Sequence, residues 1–288
     1  MGILMKGIDV AAAMKEELIK EAGLLKEGGI IPCLAIIRVG SRKDDLSYER
    51  GAKKRMDMIG IECRVMELPE DISQKEFEEV FRKVNDDTSV HGILLFRPLL
   101  KHLDEEPVRR MIHPLKDVDC MSDVNLLKVF DGDGTGYAPC TAEAVMKMLK
   151  HYNIDLKGKN TTVVGRSMVV GKPLSMLLLK ENATVTICHT KTENLAKICK
   201  NADVLVAAAG KAKMITADMV GDGAVVVDVG INVDEEGNLC GDVDFEGAEQ
   251  KSSYISPVPK GVGSLTTSVL AEHVIRAAKE LSQSSTDR

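Results

Sequence analysis

The chain has 288 residues, 44% hydrophobic and 28% charged, which is enough for two modest domains each with its own core. A net charge of −6 and a pI near 5.6 exclude a general binder of nucleic acid or acidic membrane. The absence of tryptophan, with only 3% aromatic residues, argues against a base-stacking platform.

The opening residues, MGILMKGIDV, carry neither a long apolar run nor a small-residue cleavage site, so no signal peptide or membrane span is expected. Helical periodicity covers residues 9–25 and ends before Gly28 and Gly29. Residues 31–39 form an apolar run of strand length, 44–59 return to helix and 61–66 to strand. Ser73-Gln-Lys-Glu76 is a capping-box pattern that opens a helix to about residue 86, and 90–96 read as a buried strand. Residues 113–137 are rich in Asp and Gly and weakly periodic, which predicts a functional loop plus a linker.

From residue 141 the alternation resumes. Helices are expected over 141–151, 169–180 and 192–200, and strands over 160–164, 183–188, 203–207 and 224–229. Units of this length mean a parallel sheet with crossover helices. Residues 234–238 read as a hairpin turn, 267–281 as a final amphipathic helix and 282–288 as a frayed tail. The seven cysteines are scattered, never form C-x-x-C and show no metal-ligand spacing with histidine. They point to a reducing, cytoplasmic setting and to no metal site.

The stretch VVGRSMVVGKP, residues 163–173, runs from a strand into a glycine turn. Such a turn aims helix N–H groups and the helix dipole at one point, which suits a phosphate. Gly165 and Gly171 stand six apart, outside the G-x-G-x-x-G spacing, so a plain strand-to-helix turn remains the alternative. A strand that grips an NAD ribose ends in an acid. Here ATVTICH runs into His189-Thr-Lys-Thr192, and Arg166, Thr190 and Lys191 can meet a 2′-phosphate instead. That favours NADP, with NAD as the alternative.

GRSMVVGKP, ATVTICHTKT, ADVLVAAAG, VVVDVGIN, GDVDF and PVPKGVGSLT follow in order, after SYERGAKKRMDMIGI, GILLFRPL, HPLKDVD and YAPCTAEAV. Together they resemble the methylenetetrahydrofolate dehydrogenase/cyclohydrolase family over nearly the whole chain. The resemblance implies two α/β domains with a cleft between them. A folate-binding catalytic domain would span 1–139, completed by a C-terminal helix over 266–288. A Rossmann NAD(P)-binding domain would span 140–265. It also implies a homodimer paired through the Rossmann domains, and hydride transfer from 5,10-methylenetetrahydrofolate to NADP. Most members then hydrolyse the methenyl product.

Carried over residue by residue, the resemblance places Tyr48 on the folate's aminobenzoyl ring and Asp119 on its pterin, the two groups assigned to the catalytic centre. A carboxylate accepting two N–H groups from a 2-amino-pyrimidinone is a good geometric match. Without the resemblance, Tyr48 reads equally as a half-buried core residue and Asp119 as a turn cap. Pro259, Gly261, Val262, Gly263 and Thr266 would border the folate. Gly165, Arg166, Ser167, Val170, Gly171, Thr190, Gly210, Gly230 and Ile231 would hold the cofactor.

The family's reactive lysine, four residues after the tyrosine, is Ala52 here. Its glutamine partner is Phe96, and Cys120 and Lys260 stand where the family has glycine. Lys53 is adjacent to Ala52, but one step turns ~100° about a helix axis. Hydrolysis of a methenyl cation needs proton transfers that Ala52 and Phe96 cannot make. The expectation is therefore a dehydrogenase with cyclohydrolase activity weak or absent. The alternatives are a full bifunctional enzyme and a non-catalytic folate- or nucleotide-binding protein.

Overall fold

The computed structural model describes residues 1–286. In chain order the main elements are β1 (Ile3–Leu4), α1 (Gly7–Glu27), β2 (Cys33–Val39), α2 (Lys43–Ile59), β3 (Glu62–Leu68), α3 (Gln74–Asp86), β4 (Gly92–Leu95), α4 (Glu106–Met111), α5 (Asp123–Asp131) and α6 (Cys140–His151). There follow β5 (Asn160–Val164), α7 (Gly171–Lys180), β6 (Thr184–Cys188), α8 (Leu195–Lys200), β7 (Val204–Ala207), β8 (Val225–Asp228), β9 (Asn232–Val233), β10 (Leu239–Cys240), α9 (Phe245–Glu249), β11 (Tyr254–Ile255) and α10 (Thr266–Thr286). The fold is α/β, in two compact units: residues 14–140 with the chain from Thr267 on, and residues 1–13 with 141–266.

The unit built from 14–140 holds a three-stranded parallel sheet in the order β3-β2-β4. β2 is central and buried at every position, which explains why CLAIIRV reads as a continuous apolar run rather than an alternating one. α2 buries Glu49, Ala52, Met56 and Ile59, the i, i+3, i+4 spacing of one helix face. It stops at Gly60, whose φ of 93° closes a left-handed cap with its N–H on the Met56 carbonyl. The capping box at Ser73 and Glu76 is present in full. Phe77 and Phe81 of α3 fill the core against Ile37, Ile93 and Leu95.

The segment read as loop and linker over 113–137 is partly helical. Ser122 caps α5 through its side chain on the Asn125 N–H, and Gly132 ends it in a left-handed turn. Val124, Leu127 and Phe130 face solvent on α5, while its inner face mixes buried Asn125 with Val129 and half-buried Leu126, so the apolar residues do not follow one face and the periodicity was hidden.

The second unit holds a six-stranded parallel sheet in the order β1-β11-β8-β7-β5-β6. After β6 the chain crosses back to β7 on the other side of β5, so the topological switch lies between β5 and β7. The first residues depart from the expected 1–139 grouping. β1 pairs in parallel with β11, Ile3 against Tyr254, and so extends this sheet. Two residues are too few to show periodicity. The turn at 234–238 joins the antiparallel pair β9 and β10. The expected tail from 282 is helical as far as Thr286, and residues 287 and 288 lie outside those described.

Candidate active site

In the first unit, α2 carries Tyr48 half-buried. Its ring meets that of Phe96 edge-on, with centroids 5.8 Å apart and planes at 82°. Phe96 directly follows β4 and donates its backbone N–H to the Ile37 carbonyl of β2. One turn beyond Tyr48, Ala52 is fully buried, whereas Lys53 and Lys54 are exposed. Arg38 of β2 and Glu49 of α2 form an ion pair at 2.8 Å with side chains only 5% and 11% exposed, which fixes the helix on the sheet.

Asp119 sits at the N-terminus of α6, where its Oδ1 accepts the Cys140 backbone N–H at 2.9 Å. Burial raises its carboxyl above the ordinary range, while the hydrogen bond from Cys140 and the charge of Arg97 pull it back. The peptide before it is pinned twice: His273 of α10 places Nδ1 2.8 Å from the Val118 carbonyl, and Cys140 donates its thiol to the same oxygen at 3.4 Å. Asp117 is fully buried and accepts from Met121 N, Ser122 N, Ser122 Oγ and Asn125 Nδ2. These supports of Asp119 were missed in the sequence. Their one visible signal was the density of polar residues between 113 and 125. Cys120 keeps a left-handed φ of 56° where the resemblance expected glycine.

In the second unit, the turn after β5 folds tightly on itself. A Cβ on Gly165, whose φ is 145°, would lie 2.2 Å from the Ala208 carbonyl, and one on Gly171 would lie 2.1 Å from the Gly165 carbonyl. Both glycines therefore serve close backbone packing at the switch point. Ser167 Oγ accepts the Val170 N–H at 3.1 Å, and α7 has no other side-chain cap. Thr192 and His189 close the turn after β6: Thr192 Oγ1 accepts from His189 N, and His189 Nδ1 from Lys191 N. Arg166, Thr190 and Lys191 are exposed at the carboxyl ends of these neighbouring strands. Among the described residues their side chains make no hydrogen bond. This set of a guanidinium, an ammonium and a hydroxyl, with no acid at 189–192, fits a nucleotide bearing an extra phosphate.

Gly210 follows β7 with a φ of 65° and open space at its Cβ position. Gly230 is buried after β8, and Ile231 is exposed. Both loops meet Asp242, a fully buried carboxylate to which no role was assigned from GDVDF. In the loop before α10, Pro259 is exposed after a cis bond, Lys260 holds a φ of 78°, and Val262 is buried. A Cβ on Gly261 would meet the Pro257 carbonyl at 2.2 Å, and one on Gly263 would sit 3.4 Å from Ile231 Cδ1. Thr266 Oγ1 donates to the Gly263 carbonyl at 3.2 Å. The second unit thus brings Ile231 to Gly263, while Tyr48 and Asp119 belong to the first.

Residues 5–119 match the catalytic domain, and 139–282 the NAD(P)-binding domain, of tetrahydrofolate dehydrogenase/cyclohydrolase. The chain belongs to that family. A relative from Clostridioides difficile (strain 630), named bifunctional protein FolD, is 61% identical over 278 residues, covering 96% of this chain and 97% of the relative. Bifunctional FolD from Campylobacter jejuni has a crystal structure that matches with a TM-score of 0.95 at 41% identity, over 97% of this chain and 99% of that one. FolD from Trypanosoma brucei, solved with NADP cofactor and an inhibitor, matches with a TM-score of 0.92 at 34% identity, over 97% of this chain and 98% of that one. These family members are named for both activities, so the expected loss of the second has no support from their names.

Proposed function

We propose that this chain oxidises 5,10-methylenetetrahydrofolate with NADP and that, like the relatives named as bifunctional, it goes on to hydrolyse the methenyl product. The observation that carries the reading is Asp119, a half-buried carboxylate at a helix N-terminus, preceded by a peptide whose carbonyl oxygen is pinned by both His273 and Cys140. Such a group is preorganised to accept two N–H donors from a pterin. Tyr48, braced by Phe96, offers a ring face to the aminobenzoyl group. Gly165, Val170 and Gly171 shape the nucleotide turn, and Arg166, Ser167, Thr190 and Lys191 present the phosphate-binding groups. Gly210, Gly230 and Ile231 lie along the same ligand, and Pro259, Gly261, Val262, Gly263 and Thr266 border the folate.

NADP, when bound, supplies the hydride acceptor. The protein's part in that step is alignment and exclusion of water, worth up to ~7–11 kcal/mol. No side chain has to move a proton, because the substrate nitrogen's lone pair drives hydride departure.

A second reading, hydride transfer alone, is favoured by one specific observation. The positions from which the family's lysine and glutamine act hold a fully buried alanine and a phenylalanine packed on Tyr48. Two assays on the purified chain separate the readings. NADPH formation from methylenetetrahydrofolate, with NADP and NAD titrated in parallel, tests the first step. Loss of methenyltetrahydrofolate absorbance without nucleotide tests the second. No reduced nucleotide with either cofactor leaves a binding protein, and hydrolysis no faster than in buffer leaves the dehydrogenase alone.

A homodimer through the second unit is part of the proposal. β6 is an edge strand with Ile187 exposed, and Leu179 of α7 and Met168 and Val169 of the preceding turn are exposed as well. Ile187→Lys should then give a monomer by light scattering. Seven free cysteines fit a cytoplasmic setting.

A further inference from the structure

Asp242 and Asp228 form a buried pair of carboxylates in the second unit. Asp242 is fully buried and Asp228 4% exposed. Asp242 Oδ2 accepts from Ala209 N at 2.6 Å and Gly210 N at 2.9 Å, and its Oδ1 from Lys211 N at 2.8 Å and Asn232 Nδ2 at 2.9 Å. Three successive N–H groups converging on one anion make a backbone nest, the arrangement that elsewhere receives a ligand phosphate. Here the protein fills it with its own carboxylate. Asp228 stands behind it: Oδ1 accepts from Gly230 N at 2.9 Å and Asp242 N at 3.0 Å, and Oδ2 from Val243 N at 2.9 Å.

The fit leaves no room for side chains. A Cβ on Gly230 would lie 2.4 Å from the Asp242 carboxylate, and one on Gly241 would lie 1.8 Å from Asp228 Oδ2. Asp242 therefore ties the loop after β7 to Asn232, and Asp228 ties Gly230 to the same segment. Two loops that leave separate strands become one piece.

We propose that Asp242 is a positioning residue for the nucleotide: it occupies the nest after β7, locks Gly210 to the segment carrying Gly230 and Ile231, and leaves phosphate binding to the turns at 165–171 and 189–191. The proposal rests on the nucleotide reading above. Its physical content is that these loops pay no ordering entropy when the ligand arrives. Asp242→Asn puts an amide N–H₂ against N–H donors on one side of the nest and loosens it.

The test compares KM for NADP, KM for methylenetetrahydrofolate and thermal unfolding in the wild type, Asp242→Asn and Asn232→Ala. A merely structural carboxylate would lower the melting temperature and leave both KM values in place. Positioning predicts KM for NADP at least tenfold higher in Asp242→Asn, with KM for the folate within about threefold, at a temperature where the variant is folded. Asn232→Ala removes one strut only and should raise KM for NADP about threefold, and it decides the matter should Asp242→Asn not fold. A KM for NADP within twofold of wild type in the folded variant overturns the proposal. A wild type that forms no reduced nucleotide overturns the nucleotide reading instead.

Discussion

Phe96 meets Tyr48 edge to face at 5.8 Å, so a purely apolar ring stands against Tyr48 where the resemblance expects a glutamine. The pair is a rigid wall with no exchangeable proton on the Phe96 side. Ala52, one helical turn from Tyr48, adds none.

The reactive pair can be rebuilt. Ala52→Lys alone forces a long side chain into filled space and should cost ~1–3 kcal/mol, measured by chemical denaturation. Ala52→Lys with Phe96→Gln should recover part of that loss. If hydrolysis is slow in the wild type, the double variant should speed it by ~10²-fold or more. A wild type that already hydrolyses methenyltetrahydrofolate at the pace of its dehydrogenase step removes the case for the narrower reading.

Asp119→Asn should lower kcat/KM for the folate by about 10- to 150-fold, the ~1.5–3 kcal/mol of a charge-assisted hydrogen bond. The folate contact needs the ionised carboxylate, and burial raises the pH at which it ionises. Activity at limiting folate should therefore fall on acidification, beginning above the usual carboxylate range of ~4. Arg97 holds that carboxyl down, so Arg97→Leu should move the acid limb to higher pH. A limb that stays put or moves lower contradicts the assignment.

Asp228 should titrate near neutrality. Burial raises its carboxyl to about 6 despite three backbone N–H donors, and the neighbouring Asp242 adds to the rise. Its folded value lies above the unfolded one of ~3.9, so its contribution to stability is complete below the unfolded value and is lost as pH rises through about 6. Asp87, Glu76 and Asp234 have lowered carboxyls and act in the opposite sense. Difference infrared spectra should show a protonated carboxyl band at pH 5 that is gone by pH 7.5 and is missing in Asp228→Asn.

Lys260 is exposed at a φ of 78°, a conformation that costs a side chain ~1–2 kcal/mol. Lys260→Gly should stabilise the protein by roughly 0.5–1 kcal/mol after the entropy cost of glycine, measured by urea denaturation. Unchanged or lower stability would show that Lys260 makes a compensating contact.

Much of the fold was legible because its signals are local. Strand 160–164 matches β5 at both ends, the capping box at Ser73 is formed, and α2 runs within one residue of its expected start. What escaped is not local. β1 is a strand only because β11 offers an edge 250 residues away, and α5 buries an asparagine where a periodicity search looks for aliphatics. The same divide runs through the candidate site. Gly165 and Gly171 stand out as a glycine turn between a strand and a helix, although outside the G-x-G-x-x-G spacing, whereas Asp117, Asp228 and Asp242 are ordinary acids in sequence and become supports only when distant N–H groups converge on them.

The Arg38–Glu49 pair makes α2 a keyed shaft. Bringing Lys53 to the azimuth of Ala52 requires a quarter-turn screw of the helix, and that motion would strip Glu49 from Arg38 and leave the Glu49 carboxylate without this partner in the interior, while Arg38 keeps Glu67. Leaving one partner of a buried ion pair uncompensated costs ~3–5 kcal/mol, which holds the helix in its register. A proton carrier can enter at this point only through a new side chain at position 52 itself, not by a sliding of the existing lysines.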